Sequence, residues 1–136
     1  MDRFPNKQKA IDLAIWQNHN HRYDDNYGAV LSSKGDYMVV QTDHPSFNSS
    51  EFETLPEGYT NMDYKHIRQI RMEDDPLSHW EDIAGLFSTT HGEVLQFILS
   101  AKTPLEKFIR YELACRGYDK DFLWVGFDKA EAIWLT

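Results

Sequence analysis

Tyr27-Gly28-Ala29-Val30-Leu31-Ser32-Ser33-Lys34-Gly35-Asp36-Tyr37-Met38-Val39-Val40-Gln41-Thr42 reads as a β-hairpin. Two runs of β-branched, aliphatic and aromatic residues flank a cluster of turn formers from Ser32 to Asp36. Two strands alone are marginal in water, so this ribbon needs helices or further strands to cover it. That need decides the fold class, because most of the remaining chain carries helical signals.

Upstream, Ala10, Leu13, Ala14 and Trp16 recur near helical spacing, with Ile11 and Ile15 four apart, so the spacing predicts a helix from Asn6 to Trp16. The polar run from Gln17 to Asn26 is expected to end it, since Asn and Asp bond their own backbone in turns. Downstream, Asp43 to Thr60 reads as irregular, with Glu51 to Leu55 as a short edge strand; loops this long are often functional. Ile67 and Ile70, with Asn61 or Asp63 as a cap, favour a helix over a strand for residues 61–72. Asp75, before Pro76, marks a boundary because proline disfavours helical angles in its predecessor.

The second half repeats one pattern: Ser78-x-x-Glu81, Thr90-x-x-Glu93, Thr103-x-x-Glu106 and Asp128-x-x-Glu131, each running into an apolar stretch. This is the spacing of a capping box, in which a short oxygen side chain and an acid three residues on satisfy each other's amides. It predicts four short helices and gives four carboxylates a structural task. Trp80, Ile83, Ala84 and Phe87 then form one stripe. Residues 93–101 are apolar nearly all round, so they are expected to form the most buried helix, a buried strand being the rival reading. Leu105, Phe108, Ile109, Leu113 and Ala114 lead to Arg116-Gly117, a helix stop. Phe122-Leu123-Trp124-Val125-Gly126-Phe127 is apolar enough to be expected in the core. The expected architecture is a single α+β domain over residues 1–136: an N-terminal helix and β-hairpin followed by a mainly helical C-terminal half of about four short helices.

The chain has 136 residues, 22 acidic and 14 basic, for a formal charge of −8. An acidic surface disfavours nucleic acid and anionic membrane as partners, because phosphate affinity comes chiefly from Lys and Arg. One cysteine, Cys115, forms no intramolecular disulfide and is expected as a small core residue. The first residues lack a signal-peptide core and no stretch reaches membrane-span length. The expectation is a soluble cytoplasmic protein.

Three groups of residues are candidates for chemistry. His19-Asn20-His21 with Asp24 and Asp25 has metal-ligand character: imidazoles two apart on an extended segment share a side, and a carboxylate from Asp24 completes a divalent site. The competing reading is capping and solvation at a helix end. Arg68 and Arg71, with Tyr64, Lys65 and His66, form the one basic cluster, which suits an anionic ligand or acidic partner if it is more than a solvated face. Trp16, Trp80, Trp124 and Trp134 fit core packing, an exposed one pointing instead to recognition. No nucleophile elbow, phosphate loop or dinucleotide fingerprint is present. The function that follows is protein–protein binding by a regulatory, inhibitory or immunity-like module, monomeric or weakly self-associating, that docks a basic protein. The alternative is a metal-dependent hydrolase using His19, His21 and Asp24; no other cofactor is implied, and the balance leans away from catalysis.

Overall fold

The computed structural model describes residues 2–21, 26–43 and 52–136, which form an α+β structure dividing into two compact units, residues 1–88 and 89–136. In the first unit β1 (Asp2–Phe4) precedes α1 (Lys7–Asn20), and the hairpin of β2 (Tyr27–Leu31) and β3 (Tyr37–Gln41) follows. β4 (Phe52–Glu53), α2 (Tyr64–Arg71) and α3 (Ser78–Ser88) complete it. The strands make one antiparallel sheet in the order β1-β3-β2-β4. Hairpin register pairs Ala29 with Val39 and Val30 with Met38. The turn closes through Ser32 N–H to the Asp36 carbonyl, 2.9 Å, and Ser32 Oγ donates to the Asp36 carboxylate. Gly35 takes φ +87°, a left-handed angle that a side chain strains.

Alternation of the strands separates two apolar faces. Ala29 and Val39 meet Ala10, Ile11, Leu13 and Ala14 of α1, while Val30, Met38 and Val40 cluster on the other side. Ala10 and Ala14 are fully buried, and small side chains four apart let the helix lie close on the sheet. Asn6 caps α1 by accepting from Gln8 N–H at 2.8 Å.

α1 runs four residues past its expected end. Its polar last turn is held by tertiary bonds: Tyr27 N–H donates to Asn18 Oδ1 (2.6 Å) and Asn18 Nδ2 donates to the Tyr27 carbonyl (3.1 Å), so the amide serves as a strand partner. Asn18→Ala orphans both groups and is expected to destabilise the first unit by about 1–2 kcal/mol. A urea midpoint within error of wild type contradicts this.

In the second unit α4 (Gly92–Ala101), α5 (Leu105–Cys115) and α6 (Phe127–Trp134) are helices, as their periodicity predicts. Their burial differs from expectation. Phe97 is 64% and Leu99 81% exposed, so α4 is not a buried element; all-round apolarity shows that a helix can be buried, not that neighbours cover it. Phe122, Leu123, Trp124 and Phe127 are also largely exposed. That segment is a turn, with Asp119 Oδ1 accepting from Asp121 N–H (2.8 Å) and Leu123 N–H (3.0 Å). Trp124 stands edge-on to Tyr118 and Phe127, and Trp134 Nε1 donates to the Tyr118 carbonyl at 2.8 Å. Cys115 is exposed, not core.

The capping boxes are displaced. The carbonyl of Leu77 accepts the first bond of α3, leaving Ser78 inside the helix, and the caps of α4, α5 and α6 are His91, Pro104 and Gly126, none with a side-chain cap bond. Glu81, Glu93 and Glu106 still occupy first turns, where the helix dipole favours an anion. Glu131 lies beyond the first turn of α6. Among the described residues no helix is long and apolar enough to cross a membrane.

Candidate functional site

Residues 10–14 of α1 are all buried, so Asp12, the one acid in that apolar run, faces inward with 4% exposure. A buried carboxylate requires partners. His66 Nε2 lies 3.1 Å from Asp12 Oδ2 and Gln8 Nε2 donates to Oδ1 at 3.3 Å, while Tyr59 Oη donates to the Asp12 backbone carbonyl at 3.2 Å. Asp63 sets the position of His66: its carboxylate accepts from His66 N–H at 2.8 Å and caps α2, one of the two caps proposed for residues 61–72. Burial and then the Asp12 charge hold the Tyr59 phenol well above its ordinary pKa, so it stays protonated as the donor.

His79, at the start of α3, completes the cluster. Its ring stacks on Trp16 with centroids 4.6 Å apart and planes 9° from parallel, and it lies 5.4 Å from the Trp80 ring. Trp80 in turn receives Tyr59 edge-on at 4.8 Å. His79 is 7% exposed, and neither ring nitrogen, nor the Trp80 indole N–H, has a hydrogen-bond partner among the described residues. Burial pushes the His79 pKa down, opposed by the Asp12 and Asp82 charges.

An imidazole held by a buried carboxylate is the geometry of a general base, which also needs a substrate within reach. Two clefts flank His66. One, beside Asp12, Gln69, Leu77 and Trp80, opens to about 30 Å³, and the other, beside Pro56, Tyr59 and Met62, to about 130 Å³. Pockets that enclose drug-sized ligands run to about 300–1,000 Å³, larger than either cleft. The arrangement ties α2 and Tyr59 to α1.

The residues singled out from sequence lie elsewhere. His19 stacks on Trp16 at 5.8 Å and His21 tilts over Tyr27 at 5.6 Å. The extended segment that was to align them is instead the end of α1, where residues two apart do not face each other. Asp24 lies outside the described residues, and among those described no three His, Cys, Asp or Glu side chains group to hold a metal. Arg68 and Arg71 are exposed on α2, Arg71 donating to the Ala84 carbonyl at 3.3 Å.

A second feature is apolar surface. On α3, Ile83, Leu86 and Phe87 occupy i, i+3 and i+4 and are exposed, Leu86 at 64%, beside exposed Glu81 and Asp82. The stripe expected to be core thus splits, with Trp80 and Ala84 turned inward and Ile83 and Phe87 outward. Trp124 is 60% exposed. Charge is uneven as well: residues 1–88 carry 15 acidic and 8 basic side chains, residues 89–136 carry 7 and 6, and residues 73–82 hold five acids and no base. Comparison with known proteins returns no matching family model, curated protein or solved structure.

Proposed function

We propose that this protein is a binding module that docks a basic protein partner through the outer face of α3, in a reducing, cytoplasmic setting that suits its lone exposed thiol. One observation carries this reading: an exposed apolar stripe, Ile83, Leu86 and Phe87, on a helix that also bears Glu81 and Asp82 and follows Glu73-Asp74-Asp75. Apolar residues clustered on a polar surface mark interaction sites. Carboxylates beside them select a cationic partner and speed encounter, adding less to affinity than the apolar centre does. The exposed Trp124 is of the type enriched at binding hot spots, which supports a binding role.

The test is affinity capture with the tagged chain at low and high salt, each captured protein then purified and titrated against it. The expected outcome is a basic protein held at low salt, weakened at high salt, and bound at least thirtyfold more weakly by the Leu86→Asp/Phe87→Asp variant, a loss of about 2 kcal/mol. Both positions are exposed, so the variant keeps its circular dichroism spectrum. Equal binding by wild type and variant removes α3 as the docking face.

A further inference from the structure

We infer that His79 is a proton-sensitive anchor for α3: its uncharged imidazole holds the start of the helix on Trp16, and uptake of a proton at mildly acid pH releases it. Among the described residues the geometry gives the charged ring no hydrogen-bond acceptor. A protonated imidazole presents two N–H donors, and both His79 nitrogens are buried without partners among the described residues. Stacking on Trp16, with Trp80 beside it, supplies apolar contact and no hydrogen-bond acceptor; the indole face attracts a cation, but by less than the lost hydration of the ring costs.

The titratable groups around the ring are few. From α1 come Asp12 and, on Trp16, His19; from α2 comes His66; Tyr59 packs on Trp80; and α3 itself supplies Asp82. Asp12 and Asp82 favour the charged ring, but Asp12 already accepts from Gln8 and is paired with His66. Burial outweighs both and the His79 pKa falls below its ordinary value of 6.5. An open α3 start, with the ring in water, regains that ordinary value and binds the proton first. The anchor is thus at full strength above pH 6.5 and weakens as pH falls below it. Between pH 7.5 and 5.5 the open form therefore gains population, by as much as the lowering of the His79 pKa allows and by no more than about tenfold. The other side of α3 carries Ile83, Leu86 and Phe87, so its release in acid alters the docking face; that consequence rests on the docking reading, whereas the anchor does not.

Hydrogen exchange of the full chain, followed by NMR at pH 7.5 and 5.5 and corrected for intrinsic rates, tests the anchor without any partner. In wild type the slow amides of α3 are expected to exchange faster at pH 5.5, by up to about tenfold, while those of α1 hold steady. His79→Phe keeps an aromatic stack without nitrogens and is expected to abolish the change; His79→Gln, which does not titrate either, stands in if the phenylalanine variant misfolds. His66→Gln should retain it. A wild type with no change, an equal change in either folded His79 variant, or its loss in His66→Gln overturns the inference.

Discussion

Asp12→Ala is expected to destabilise residues 1–88 by about 2–4 kcal/mol, the largest loss for any single side chain in that unit. The reason is what it leaves behind. With 4% exposure, Asp12 holds His66 Nε2 at 3.1 Å and the Gln8 amide at 3.3 Å, and alanine leaves both without their acceptor in a partly buried place. Removing one member of a buried pair is far more costly than the pair is worth in net stability. Asp12→Asn keeps the shape and an acceptor oxygen and should lose less than half as much. At about 4–8 °C per kcal/mol for a unit of this size, the alanine variant melts roughly 8–32 °C lower, read by circular dichroism. A shift below about 3 °C shows that α1 and α2 are held by apolar packing alone.

Gly117→Ala should be the most damaging change in residues 89–136. Gly117 sits at φ +74° directly after the cap of α5, and a Cβ there collides with the Trp124 ring at Cζ3. Left-handed backbone costs an alanine about 1–2 kcal/mol, and forcing atoms into an occupied space adds about 1–3. The Trp124 ring must swing away, breaking its edge-on contacts with Tyr118 and Phe127. Near-UV circular dichroism reports the lost tryptophan environment, and denaturant unfolding reports the energy. The double variant Gly117→Ala/Trp124→Ala removes the collision and retains the backbone strain, so the two changes are expected to combine less than additively. Full additivity means that the ring and the glycine do not meet.

How far sequence alone reached depended on the range of the forces involved. The hairpin was legible because strand alternation and the Ser32–Asp36 turn are local, and so was Asp63, a cap whose acceptor reaches only three residues on. Helix existence in the second half was legible from periodicity, but helix starts were not. Leu77, His91, Pro104 and Gly126 precede those helices without capping them, so Ser78, Thr90, Thr103 and Asp128 signalled the right region and the wrong residue. Burial was less legible still. The apolar content of α4 and of residues 122–127 says what a segment can bury, while coverage depends on neighbours far away in sequence. In the buried cluster 54 positions separate Asp12 from His66, and 63 separate Trp16 from His79. One clue to it was local: an aspartate set between Ile11 and Leu13 in an otherwise apolar run must either face inward with a partner or break the face. The extended chain expected at His19 and His21 was not legible as helix because the polar run hid the continuation of α1, and Asp24 lies outside the described residues.

The docking face proposed on α3 is open to direct measurement. Calorimetric titration of the purified basic protein recovered by capture, into wild type and into Leu86→Asp/Phe87→Asp at the same ionic strength, tests it most directly. Saturable binding to wild type with at least thirtyfold weaker binding to the variant is the predicted result; matching affinities for the two chains contradict it.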